Sequence, residues 1–214
     1  MDFIPYMTIG IMILTVLVSI GAFSSPKIME DLIFYPPAVG RGQWYRFFTS
    51  GLIHADYFHL GFNMYALFLF GRNVELAFGY IFGDYGKWVY LLLYVLALLA
   101  ALLPTYNRNK DNYAYRGLGA SGAVSAVIFA SILIDPTAKM GLIFIPVLVP
   151  GFVFGPLYLL VSTYLDKRGG GNVNHSAHIW GALFGIGFLI LACRMVEFPI
   201  VQSFLQEVKR YRWG

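Results

Sequence analysis

The sequence predicts an all-α polytopic membrane protein, a bundle of six transmembrane helices with a long interfacial first loop. Three observations predict it. Hydrophobic residues make up 58% of the 214-residue chain and charged residues only 12%, about half the charged share of a soluble domain. Mean hydropathy is +0.67, which leaves too little polar surface to coat a globule in water. Six segments are apolar over roughly the 20 residues that a hydrocarbon core of about 30 Å requires of a helix.

The spans follow in order, and the whole chain, 1–214, reads as one domain. The first runs from Pro5 to Phe23; it lies too near the N-terminus and has too few flanking cations for a cleaved signal peptide. The second covers Tyr57 to Phe78, and the third Lys87 to Leu103. The fourth starts at Gly119 and stops at Ile134, before the helix-ending Asp135-Pro136. The fifth extends from Gly141 to Leu165 and the sixth from Ala177 to Val196. Between the first two, residues 24–53 are half apolar but interrupted by Pro26, Pro36, Pro37 and Gly40, which suits a segment lying in the interface. The tail SFLQEVKRYRWG reads as a short basic interfacial end.

Charge excludes some functions and leaves orientation open. The net +4 is dispersed over loops and tail, which fits contact with a lipid bilayer better than nucleic acid, whose binding needs a concentrated patch. Six spans put seven Lys/Arg on the side of the termini and eight on the other, so the positive-inside rule decides nothing. The single cysteine, Cys193, sits in an apolar run and has no intrachain partner.

Polar groups within spans are expensive and mark function. Here they are few: His59 and Asn63 in the second span, with His54 before it and Glu75 near its far end; Ser121 and Ser125 in the fourth; His178 in the sixth, with His175 just before it. Alternating spans bring Ser121, His178, His59 and Asn63 towards one membrane face. Serine is a weak nucleophile unless a base takes its proton, and histidine serves near neutral pH. His59 and Asn63, at i and i+4, share a helical face from which both can donate to an oxyanion. The Ser121 amide at a helix start adds a third donor. Gly119 and Gly122 leave the backbone around Ser121 bare. Gly181 and Gly185 form a GxxxG seam on the His178 side of the sixth span, matched by Gly122, Ala126 and Ala130 on the fourth. No aspartate stands ready to complete a triad, so the natural form is a Ser–His dyad. Each piece also has a plain reading: small residues pack helices, and a membrane histidine is usually a satisfied hydrogen-bonding group. Zinc is disfavoured, because His54 and His59 are i, i+5, HExxH is absent and cysteine ligands are lacking. No cofactor is expected.

GASG (Gly119 to Gly122), HADYFHLGFN (His54 to Asn63), AHIWGALFG (Ala177 to Gly185) and the Trp44-Tyr45-Arg46 run occur together and in order. In these the chain resembles the rhomboid intramembrane serine proteases of the basic six-helix, prokaryotic type, over nearly its whole length. The resemblance implies that Ser121 is the nucleophile and His178 the general base, with His59, Asn63 and the Ser121 amide as oxyanion donors. It gives His54 a bracing role, Arg46 the shaping of the first loop, Glu75 a structural role, and Gly181 and Gly185 the packing of the sixth helix on the fourth. It also implies cytoplasmic termini, a site towards the outer face, and transmembrane proteins as substrates.

One position departs from the family. Four residues after the nucleophile, rhomboids often carry a ring that stacks on the histidine, and here Ser125 stands instead. That leaves Trp180 or His175 to orient His178, and predicts that Ser125→Phe keeps or raises activity. The proline-rich fifth span and the loop 166–174 correspond to elements that the family is proposed to move for substrate access; a merely kinked span is the alternative. Two other functions compete: a rhomboid-like protein that binds membrane clients without cutting, and a small transporter or channel, which would need a polar path across the membrane.

Overall fold

The computed structural model describes residues 3–141, 147–169, 171 and 173–213. Their helices are α1 (Tyr6–Ser24), the short α2 (Pro26–Leu32), α3 (Pro36–Val39) and α4 (Arg46–Thr49), then α5 (Tyr57–Phe82), α6 (Gly86–Asn109), α7 (Ser121–Ile134), α8 (Gly151–Arg168), α9 (His175–Met195) and α10 (Ile200–Arg210). The helical stretch Tyr57–Asn109 has 53 residues, about 80 Å if straight. It divides into two antiparallel spans at a 3-10 turn, Gly83–Tyr85, where Gly83 adopts φ +57°.

The bundle is inside-out relative to a soluble protein. α1 buries Thr8, Thr15, Ser19 and Ala22 and exposes Ile13, Leu14, Leu17 and Ile20. α8 buries Gly151, Gly155 and Ser162 and exposes Leu157, Leu160 and Val161. Hydrocarbon rewards this arrangement, since small and polar residues face other helices and aliphatic ones face lipid. The protein is a multi-pass membrane protein.

α7 is the axis. Eleven of its fourteen residues are buried, because it packs against α5, α6, α8 and α9. At 14 residues it is about 21 Å long, shorter than the roughly 30 Å of a hydrocarbon core. Its closest partner is α9. A Cβ added at Gly181 would strike the Gly122 carbonyl oxygen, and one at Gly185 the Ala126 carbonyl oxygen. Backbone cannot swing aside as a side chain does, so both positions require glycine.

α1 is pinned at both ends. Its first-turn amides lack a capping side chain of their own, Pro5 standing at the N-cap. Glu75 of α5 supplies the cap: its carboxylate accepts from Met7 N and Thr8 N at 2.9 Å and from the Thr8 hydroxyl at 2.8 Å. A carboxylate at a helix N-terminus satisfies orphan donors and complements the dipole. At the other end of α1, Ser19 reaches Leu52 O and His54.

The first connection is not a loose loop. α2 to α4 enclose a small core of Phe34, Val39 and Phe47. The buried Arg46 holds it, donating from Nη1 to Glu30 O (2.8 Å) and Ile33 O (2.7 Å) and from Nε to Gln43 Oε1 (2.6 Å). A guanidinium at the end of α2 also suits the helix dipole.

The span expected from Gly141 differs. Its helix starts only at Gly151, and Lys139–Met140 (β1) pairs with Val149–Pro150 (β2) in an antiparallel ladder. Proline at 150 has no N–H for a helical bond and favours the first turn, so the helix begins after it. The first α8 amides are satisfied across the turn, Gly151 N by Ala138 O and Phe152 N by Pro136 O, both at 2.9 Å. Residues 142–146 of the expected span, and 170 and 172 of the connection 166–174, lie outside the described residues.

The seam gives a paired prediction. Gly181→Ala and Gly185→Ala each destabilise the folded protein by about 1–3 kcal/mol, as overpacking does. Gly187→Ala, with nothing within 4 Å of its added Cβ, does not. Thermal unfolding in detergent measures all three.

Candidate active site

Three helix N-termini converge, those of α5, α7 and α9. Ser121 is the first residue of α7, and its amide finds no acceptor among the described residues, as expected of a first-turn donor. His178, in the first turn of α9, lies with Nε2 2.8 Å from Ser121 Oγ. The α7–α9 seam sets this distance, since Gly122 and Gly181 are the residues in contact beside the pair. α9 is capped by Asn174, whose Oδ1 accepts from Ala177 N at 3.0 Å and whose Nδ2 donates to Thr105 Oγ1 and Tyr115 OH at 3.1 Å. The start of α9, with His178, is therefore tied to α6 and to the segment leading into Ser121. Among the described hydrogen bonds, none joins the His178 imidazole to a carboxylate.

The backbone before Ser121 is stitched to the first connection. Phe34 and Gly117 exchange backbone bonds at 2.9 and 3.0 Å, and Gly119 N donates to Ser50 O at 2.9 Å. Ala120 N donates to His54 Nε2 at 3.4 Å. With Nε2 accepting, the neutral His54 carries its proton on Nδ1, which donates to Ser19 Oγ at 3.0 Å; Ser19 in turn donates to Leu52 O. Burial first, and His59 second, push the His54 pKa down to about 3, so this one-way chain is maintained at neutral pH. Protonation would place a hydrogen against the Ala120 amide.

His59 lies over Gly119. A Cβ at Gly119 would stand 2.7 Å from His59 Cε1 and 3.0 Å from Nε2, and Gly119 has φ +108°. Both the ring and the torsion demand glycine. Ala55 N approaches His59 Nδ1 at 3.5 Å, which assigns the His59 proton to Nε2, the nitrogen nearer Gly119. Asn63 is buried and donates from Nδ2 to His59 O at 2.9 Å; the amide retains a second N–H. Against Ser121 and Gly119 lies a cavity of about 30 Å³, also lined by Ser50, Leu98, Ala101 and Asn174. Among the described residues, no three of His, Cys, Asp and Glu are grouped to hold a metal ion.

Ser125 corrects the sequence expectation. Its hydroxyl is 3.2 Å from Tyr158 OH, and Tyr158, on α8, stacks on His178 with centroids 6.4 Å apart and planes at 24°. The ring over the histidine comes from α8. Trp180 is 45% exposed, and His175 meets His178 edge-on at 5.9 Å and 82°. Phenylalanine at 125 would meet the Tyr158 hydroxyl, so room for a ring there depends on Tyr158. Sequence reasoning missed Tyr158; the only signal was an absent ring at 125 and an aromatic somewhere on a neighbouring span. Glu75 and Arg46 lie away from the dyad, in the α1 cap and the first connection.

Residues 41–195 match the Rhomboid domain. The chain is 30% identical over 170 residues to RHOMBOID-like protein 12, mitochondrial, of Arabidopsis thaliana, covering 75% of this chain and 50% of that protein. It is 31% identical to the chloroplastic Rhomboid-like protein 11 of the same plant, over 78% of this chain and 58% of that one. It is 26% identical to the putative rhomboid protease YdcA of Bacillus subtilis, over 80% and 78%. The chain thus spans about half the length of the two plant relatives.

His54 makes a pH prediction. Its pKa in the folded protein, about 3, is below the roughly 6.5 of an unfolded histidine. Its contribution is complete above pH 6.5 and is lost as pH falls towards 3, because only the unfolded chain then takes up the proton. The melting-temperature advantage of wild type over His54→Asn therefore shrinks between pH 7 and pH 4.

Proposed function

From its membership of the rhomboid family, to which the chain belongs, we propose that this protein is an intramembrane serine endopeptidase using Ser121 and His178. The observation that carries the reading is the 2.8 Å contact between Ser121 Oγ and His178 Nε2 at the start of the short apolar helix α7.

His178 takes the Ser121 proton as Oγ attacks the scissile carbonyl. The tetrahedral oxyanion forms beside the Ser121 amide, His59 Nε2–H and the free N–H of Asn63, donors fixed in place before the reaction. His178 then protonates the leaving amine as the C–N bond breaks, leaving an acyl-enzyme. Water, deprotonated by His178, attacks the ester and returns Ser121. The proton balance closes on histidine alone, and no step calls for a metal or cofactor. Gly119 and Gly122 on either side of Ser121 favour small residues next to the cut, and the cavity of about 30 Å³ on the Ser50 and Leu98 side of the serine has room for about one water. Substrates are transmembrane proteins with locally unwound helix, because a hydrogen-bonded helix hides its carbonyls.

The polar groups support chemistry at one depth rather than transport. Between Asn63 and Glu75, the buried face of α5 is Met64, Leu67, Gly71 and Val74, so this helix offers a path no polar side chain there. Glu75 is committed to capping α1. The reading places both termini on the cytoplasmic side of a prokaryotic membrane and the site towards the outer face.

Four variants test it on purified protein with a transmembrane peptide substrate. Ser121→Ala and His178→Ala abolish cleavage while the protein remains folded. His59→Ala and Asn63→Ala each lower kcat by about 10²–10³, the range for losing one oxyanion donor. Cleavage by Ser121→Ala at the wild-type rate would mean a binding protein with a contaminating protease.

A further inference from the structure

We propose that Tyr158 is the positioning residue for His178, and that because it stands on α8, the base is held in register only while α8 is docked on α7. This rests on the Ser121–His178 reading above and adds a control to it.

Three observations carry the proposal. Tyr158 offers His178 a nearly parallel ring face, at 6.4 Å and 24°, within the range over which rings attract. Its hydroxyl is tethered to Ser125 at 3.2 Å, one helical turn beyond Ser121 on the same face of α7. Its ring is also gripped by Phe129 of α7 at 5.7 Å and Phe154 of α8 at 6.0 Å. Tyr158 thus touches the helices that carry nucleophile and base while belonging to neither.

The helix that carries it packs on both α7 and α9 but buries little of its own surface. α8 buries only Gly151, Gly155 and Ser162, residues that share with Tyr158 the face turned to α7. At Gly155 a Cβ would come 3.3 Å from Phe129 Cε1 and 3.4 Å from Ile132 Cδ1. Close docking therefore depends on the absence of a side chain there. At its C-terminal end an ion pair, Arg108 Nη1 to Asp166 Oδ2 at 2.9 Å, ties α8 to α6. If α8 moves away from α7, the Tyr158 ring leaves with it, and His178 loses its only parallel ring contact among the described residues. Nucleophile and base remain on α7 and α9, joined by the glycine seam. The device disarms the base without dismantling the dyad.

Moving the ring from α8 to α7 separates positioning from mere structure. Tyr158→Ala is expected to lower kcat about 10- to 100-fold, as misplacing a catalytic group by about 1 Å does, with KM near wild type and a melting temperature lowered by the lost packing. Tyr158→Phe keeps the ring and loses only the tether, so its loss is smaller. In Tyr158→Ala/Ser125→Phe the ring rises from α7 into the vacated space, and kcat recovers towards wild type. Gly155→Val, which pushes α8 off Phe129, lowers kcat with Tyr158 in place but not in that double variant. Wild-type kcat in Tyr158→Ala overturns the proposal while leaving the protease reading standing. So does a loss that follows melting temperature with no recovery in the double variant, or an equal effect of Gly155→Val in both backgrounds. A wild-type protein that cuts nothing overturns both.

Discussion

The contact on which the rest depends is the backbone-to-backbone approach of α7 and α9. Gly181 and Gly185 lie directly against the carbonyl oxygens of Gly122 and Ala126. Helices this close gain dispersion and weak Cα–H···O contacts that lipid cannot match. The same approach sets the separation of two side chains one turn further on, Ser121 and His178. In water a dyad is commonly held by a carboxylate behind the histidine. Here no carboxylate bonds the imidazole among the described residues, and helix packing supplies the constraint.

A second constraint fixes the direction from which Ser121 is presented. The first connection, rigid around Arg46, lends its Phe34, Ser50 and His54 groups to the backbone at Gly117, Gly119 and Ala120. Those bonds hold Gly119 at its positive φ, where His59 can lie over it. A neutral His54 fits this chain because each of its nitrogens has one role, acceptor from Ala120 and donor to Ser19. On α5, His59 and Asn63 at its start are thus separated from Glu75, the cap of α1, by a buried face of Met64, Leu67, Gly71 and Val74.

Much of this was legible in the sequence, for identifiable reasons. Close helix contact demands missing Cβ atoms, so Gly181, Gly185, Gly122 and Ala126 announced their seam by spacing. His59 and Asn63 announced a shared face in the same way. Other features have no local signature. Glu75 bonds backbone amides of α1, and amides carry no sequence mark. Tyr158 reaches Ser125 across 33 positions and between helices, a pairing that depends on how α8 is rotated. The start of α8 was misplaced because the apolar residues before Pro150 look helical by composition, while the ladder with Lys139–Met140 is a tertiary choice.

The most direct test of the central claim, a serine activated by a neighbouring histidine at the α7–α9 seam, is peptide mapping of folded protein in detergent after exposure to a fluorophosphonate. The account predicts one covalent adduct, on Ser121, whose formation depends on an intact His178. An adduct on another serine, or equal labelling of Ser121 without His178, would contradict it.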